Sequence, residues 1–127
     1  MRSPGSEASI AVAKPDLAPY GAAAIDAIKA SKLWDKLQPK IVYAPSIAIA
    51  KQFADTGNVE AAFTALALTV HDHGNSFSVD GRLHMPIDQA LGIVKASAQQ
   101  KNARAFSAFL KAPEGRAIFK RFGYEQP

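Results

Sequence analysis

The chain has 127 residues, 48% of them apolar, a net charge of +4 and no cysteine. This is the length of one domain, or of one lobe of something larger, with enough apolar side chain for a core and disorder expected only at the ends. A disulfide framework and a thiolate metal site are excluded, and no apolar run approaches the ~20 residues that cross a bilayer, so no direct membrane insertion is expected. Lysines and arginines are spread along the chain, with some density at Lys111, Arg116, Lys120 and Arg121. A nucleic-acid surface gathers its charge on one face. Solvated helix faces account for this distribution, so no nucleic acid is expected as a partner, and the mild positive field favours a small anion.

Residues 1–7 (Met-Arg-Ser-Pro-Gly-Ser-Glu) contain no apolar stretch. They read as a disordered segment, not a signal peptide. Ala8 to Ala13 is a short apolar run that predicts a buried strand. The stretch Pro15-Asp-Leu-Ala-Pro-Tyr-Gly-Ala-Ala-Ala24 carries a Pro/Gly turn into a helix running from Tyr20 to about Ser31, with Ala22, Ile25 and Ile28 at helical spacing and Pro19 just outside the start. Leu33 and Trp34 are expected to close this helix against the sheet. Lys40 to Ala44 predicts a second strand. Pro45 and Ser46 then open a second helix, which Ser46 can cap. Its expected buried stripe is Ile47, Ala50, Phe53 and Ala54, with Gly57 as its stop. Ala61 to Leu68 reads as a third buried strand, and His71 to Asp80 as a loop. Residues 82–86 and 89–95 read as extended. Asn102 to Leu110 predicts a helix with Ala105, Phe106, Phe109 and Leu110 on one face. Pro113 starts the last helix, lined on its inner side by Ala117, Ile118, Arg121 and Phe122 and ended by Gly123. Strand–helix–strand–helix–strand predicts an α/β fold with a parallel sheet and right-handed crossovers.

Little in the chain points to catalysis. There is no Gly-x-Ser-x-Gly elbow, no phosphate-binding loop with Lys-Ser/Thr and no Gly-x-Gly-x-x-Gly. No pair of carboxylates has a recognisable acid–base spacing. His71-Asp72-His73 places two imidazoles at i, i+2, but no third ligand is evident, and His84 is equally unsupported; no metal is expected. What remains is two helix starts, at Tyr20–Gly21 and at Ser46–Ile47. Each follows a strand of one parallel sheet, so both open at the carboxyl edge where such sheets take ligands. Helix starts hold backbone N–H groups without intrahelical acceptors, at the positive end of the helix dipole. Two such starts together suit a small oxyanion. By pattern alone they are equally ordinary βα turns.

Four blocks of the sequence resemble one family in its own order. They are Ile10-Ala-Val-Ala-Lys-Pro-Asp-Leu-Ala-Pro-Tyr-Gly-Ala-Ala-Ala24; Leu33-Trp-Asp-Lys-Leu37 with Pro39-Lys-Ile-Val42 and Ala54-Asp-Thr-Gly-Asn58; Ala62-Phe-Thr-Ala-Leu66 with Pro86-Ile-Asp-Gln89; and Ala105-Phe-Ser-Ala-Phe-Leu-Lys-Ala-Pro-Glu114 with Arg121-Phe-Gly-Tyr124. The chain resembles the periplasmic molybdate-binding proteins that serve ABC transporters, of the type 2 periplasmic-binding-protein family. The resemblance implies two α/β lobes, here with the N-terminal lobe largely missing: a second lobe at 8–90, and at 91–127 a return strand and C-terminal helices that would complete the first lobe. It implies binding of molybdate or tungstate with no cofactor and no catalysis, a membrane permease as partner and a periplasmic location. By the same resemblance the backbone N–H groups of Tyr20 and Ile47 bind the oxyanion, and Pro19, Gly21 and Ser46 shape the site. Several positions depart from the family. A tyrosine found in some members is Ala65 here, a common glycine is Ala62, a common serine is Ala67 and a common aspartate is Ala90. The faces carrying Phe106, Phe109, Ile118 and Phe122 would need another partner or pack back on the sheet. Competing readings are the effector domain of a LysR-type regulator, a sulfate- or phosphate-type binder, and an orphan fragment without a ligand.

Overall fold

Ile10–Ala13 (β1) is the middle strand of a three-stranded sheet in the computed structural model, which describes residues 7–125. Ile41–Ala44 (β2) lies on one side of it and Ala61–Ala62 (β3) on the other. Both neighbours run parallel to β1: Ile10 faces Ile41 and Ala61, and Ala13 faces Ala44. Parallel neighbours require crossovers. Pro19–Ala30 (α1), the short Trp34–Leu37 helix (α2) and the 3-10 turn Gln38–Lys40 connect β1 to β2, and Ile47–Asp55 (α3) connects β2 to β3.

Alternation of side chains across the strands sorts the core into two layers. Ala11, Ala44 and Ala62 join Ala50, Ile49, Phe53 and Ala54 of α3, with Val59. Ile10, Val12 and Ile41 join Ala24 and Ile25 of α1, with Trp34 and Phe63. The two longer crossover helices therefore cover opposite faces, and Ala11, Val12 and Ala13 are 0% exposed. A strand covered on both sides reads as an unbroken apolar run rather than an alternation. Ser9, just before β1, is also buried; its N–H donates to Glu60 Oε2 at 2.5 Å and its carbonyl accepts from Glu60 N at 3.1 Å.

Several expectations are corrected. Pro19 is the first residue of α1, not a flanking one. The third strand is only Ala61–Ala62, extended by a bond from Phe63 N to Ala11 O at 2.9 Å. Beyond it β1 has ended and offers no further ladder, so the run turns into a 3-10 segment at Leu66–Leu68. Of the stretches read as extended, 82–83 instead lies in the 3-10 turn Gly81–Leu83, and no described strand pairs with 84–95. Leu33 is exposed; Trp34 alone joins the core, with Lys29 Nζ 4.9 Å above its ring. The reading of residues 1–6 falls outside the described residues.

The chain divides into two units between Ile87 and Asp88. In the second, Gln100–Lys111 (α4) and Pro113–Arg121 (α5) share Ala112 as end and start. Gly115 lets them close up, since a Cβ there would stand 2.2 Å from the Phe109 carbonyl oxygen. The apolar faces of both helices are open: Phe106 is 56% exposed, and Phe109 and Ile118 are also exposed. A groove formed by Leu91, Ile93, Val94, Ala103 and Phe106 lies beside α4. Among the described residues no helix is long and apolar enough to cross a membrane.

Three helices end in the same way. After α3, Gly57 N donates to Ala54 O and Asn58 N to Phe53 O, with Gly57 at φ 74°. After α5, Gly123 (φ 84°) and Tyr124 repeat the pattern, and Tyr124 packs edge-on to Phe119 at 5.6 Å. This is the Schellman motif, whose left-handed residue is ordinarily glycine. After α1 the same bonds run from Lys32 N to Lys29 O and from Leu33 N to Ile28 O, but the left-handed residue is Lys32, at φ 59°.

Two outcomes follow from this backbone. Lys32→Gly relieves a Cβ clash of about 1 kcal/mol and is expected to raise the denaturant midpoint without changing its slope. Gly21→Ala, ordinarily favourable in a helix, places a Cβ 1.9 Å from the Ala13 carbonyl oxygen. It is expected to cost about 2 kcal/mol or more, read as a fall in midpoint.

Candidate functional site

The register of β1 and β2 decides where the two helix starts lie. Ala13 and Ala44 are partners at the ends of their strands, and Lys14 N donates to Ala44 O at 2.8 Å, closing the ladder. The chain after β1 turns tightly, with Leu17 N and Ala18 N both donating to Lys14 O at 3.0 Å. Ala18 is extended (φ −139°, ψ 118°), and α1 begins with Pro19, Tyr20 and Gly21, with Ala22 N donating to Ala18 O at 3.1 Å. The cap residue is alanine, so its side chain accepts no N–H of the first turn. Gly21 lets this turn sit directly on the Ala13 carbonyl, which a side chain would forbid.

At the second start, Ser46 is extended (φ −151°, ψ 165°) and its Oγ accepts from Ile49 N at 3.2 Å. Ala50 N donates to Ser46 O at 2.9 Å. The hydroxyl thus takes the third N–H of the helix and leaves those of Ile47 and Ala48 ahead of it, with no acceptor among the described residues. Neither α1 nor α3 has an acidic residue in its first turn. No carboxylate within either first turn therefore offsets the positive end of its helix dipole. The structure thus brings Pro19, Tyr20, Gly21, Ser46 and Ile47 to the same edge of the sheet.

One residue at this edge escaped the sequence reading. Thr64, directly after Phe63 on the β3 side, donates its Oγ1 proton to Ile47 O at 3.1 Å. The contact spans 17 positions in sequence. Its only signal was a threonine inside one of the blocks that carry the resemblance. Ala65, where some family members have tyrosine, is buried and starts the 3-10 turn, so no side-chain hydroxyl arises at that position.

The charged groups nearby serve the scaffold. Lys51 Nζ lies 2.7 Å from both Asp55 Oδ2 and Asp72 Oδ2, tying the 71–80 loop to α3. Hydrogen bonds to Asp55 and then Asp72 raise the lysine's pKa above its ordinary value. Asp72, the middle of the His-Asp-His run, is thus engaged with a lysine. Asp80 and Arg82 form an exposed pair that holds the Asp80 carboxyl below the usual carboxylate range. His84 Nδ1 lies 2.7 Å from Met85 O. No group of three or more metal-ligating side chains occurs among the described residues.

A parallel sheet with helices on both faces, two of whose starts share one carboxyl edge, is a doubly wound α/β arrangement, and it matches the lobe of a periplasmic binding protein. The structure superposes on the periplasmic molybdate-binding protein of Azotobacter vinelandii with a TM-score of 0.88 at 33% identity, covering 94% of this chain and 55% of that one. In sequence, the chain is 38% identical over 116 residues to the molybdate-binding protein ModA of Rhodobacter capsulatus, which covers 91% of this chain and 46% of the relative. It is 35% identical over 119 residues to ModA of Azotobacter vinelandii, covering 91% and 47%. It therefore spans about half the length of these relatives. The pattern of the bacterial extracellular solute-binding proteins matches residues 1–125, and the chain belongs to that family.

The Ser46 cap can be tested apart from any ligand. Ser46→Ala leaves Ile49 N without its acceptor and is expected to cost about 1 kcal/mol, read as a lower denaturant midpoint with the helical circular dichroism kept below it.

Proposed function

We propose that the chain binds a tetrahedral oxyanion, molybdate or tungstate, as part of the solute-binding component of an ABC transporter. The observation that carries this reading is the meeting of two helix starts at the Ala13–Ala44 edge. There the N–H groups of Tyr20 and Ile47 donate to the oxyanion, and Pro19, Gly21 and Ser46 fix the turns that present them. Relatives named as molybdate-binding proteins support the choice of anion. The contacts are neutral, and helix dipoles favour the charge. Residues 8–90 serve as the second lobe and 91–127 as the return segment of the first. The complete site lies between lobes, in the periplasm, and closure around the ligand signals the membrane permease. The process is binding without catalysis.

Ile47→Pro tests the reading cleanly. Proline removes the N–H at the first helical position, where a helix tolerates it, and Ser46 is already in the extended conformation that a following proline requires. Molybdate is titrated calorimetrically, with sulfate as control, into this chain and into the chain fused behind the upstream half of the Rhodobacter capsulatus relative. We expect weak binding by the chain, tight molybdate-selective binding by the fusion, and an affinity about 10- to 100-fold lower after Ile47→Pro, the loss of one hydrogen bond to a charged group. Undiminished binding by the proline variant would overturn the assignment, as would a folded fusion that binds no molybdate.

A further inference from the structure

We propose that Thr64 is a positioning residue of the oxyanion site, which it serves by holding and polarising the peptide between Ile47 and Ala48, and that the Ala48 N–H is a donor beside that of Ile47. The inference rests on the oxyanion reading above and adds two residues to it. Thr64 Oγ1 donates to Ile47 O at 3.1 Å, and this carbonyl belongs to the same peptide unit as the Ala48 N–H. A hydrogen bond to the carbonyl draws electron density from the amide and strengthens its N–H as a donor. It also fixes the plane of that peptide and hence the direction of the N–H. Ser46 Oγ has already engaged Ile49 N. The first turn of α3 thus has its third N–H capped from within and its first carbonyl held from outside, leaving the Ile47 and Ala48 donors for a ligand.

The position of Thr64 supports this role. It follows Phe63, whose N–H extends the β3 ladder to Ala11 O. The register that pairs Ile10 with Ala61 and Ala11 with Ala62 sets Thr64 level with Ala13, at the same edge as Ala44. Thr64 therefore locks α3 from the far side of the central strand, while Ser46 anchors it on the β2 side. The hydroxyl touches no donor that the ligand needs; it works through the helix backbone.

The test is an amide-resolved NMR titration of the chain with sodium molybdate, comparing wild type, Thr64→Val, Thr64→Ser and Ile47→Pro. Valine keeps the branched shape and removes the hydroxyl; serine keeps the hydroxyl. We expect Thr64→Val to move the Ala48 amide proton upfield in the ligand-free protein and to weaken molybdate binding about three- to tenfold, with the melting curve still cooperative. Thr64→Ser is expected to restore both toward wild type. An unchanged Ala48 amide in ligand-free Thr64→Val, or equal affinities for wild type and Thr64→Val, overturns the role of Thr64 while leaving Ile47 in place. Should valine prevent folding, a wild-type-like Ala48 amide and affinity in Thr64→Ala would overturn it in the same way. If neither the wild-type chain nor its fusion behind the upstream half of the Rhodobacter capsulatus relative shows a molybdate shift at any first-turn amide of α1 or α3, the oxyanion reading itself fails. An Ala48 amide unmoved by molybdate in wild type while Ile47 moves overturns its role as a donor.

Discussion

The close seating of α1 on the end of β1 is the constraint from which the edge of the sheet is built. The backbone of Gly21 lies so near the Ala13 carbonyl that a Cβ would stand 1.9 Å from its oxygen. This contact sets the depth at which the first turn of α1 meets the sheet. On the opposite face, Ala11 of β1 and Ala44 of β2 present almost no side chain, so α3 approaches the sheet closely there. With Ala13 opposite Ala44, α3 begins on the same rim. The site geometry is thus a consequence of small residues in the strands and one glycine in a helix.

Such an edge suits an anion whose charge must be recognised without a counter-charge. A lysine or arginine would attract any anion and carries a large desolvation cost when enclosed. Backbone N–H groups are held by the helix ladder, lose little conformational freedom on binding, and have directions set by the fold. In the proposed site, discrimination among tetrahedral anions then rests on the distance between donors. The two devices that stiffen the first turn of α3, the Ser46 cap and the Thr64 hydroxyl, bear on that distance.

The ion pairs act elsewhere. Lys51 bridges Asp55 on its own helix to Asp72 in the following loop. A raised lysine pKa means that this contribution is fully present below the ordinary lysine range and is lost as pH rises through the folded value. For Asp80 the lowered pKa means the reverse: its small contribution is present above the ordinary carboxylate range and is lost as pH falls. Both pairs reach solvent, where screening keeps such contributions small.

Local chemistry in the sequence was sufficient for α1, α3 and α5, for the Ser46 cap, for the stops at Gly57 and Gly123, and for the parallel βαβ order, because caps, stops and helical spacing are decided by residues within a turn or two of one another. The same local reading found both helix starts, and the resemblance assigned Tyr20 and Ile47 to them. It overextended β3, because a strand exists only where a neighbour offers a ladder, and β1 is four residues long. It left the covering of the α4 and α5 faces open, since an apolar stripe does not say whether anything covers it. Thr64, the need for glycine at position 21 and the left-handed Lys32 came only from the tertiary structure. Thr64 and Gly21 act through contacts with residues distant in sequence, while Lys32 occupies a turn that local propensity assigns to glycine and that the packed end of α1 imposes on it.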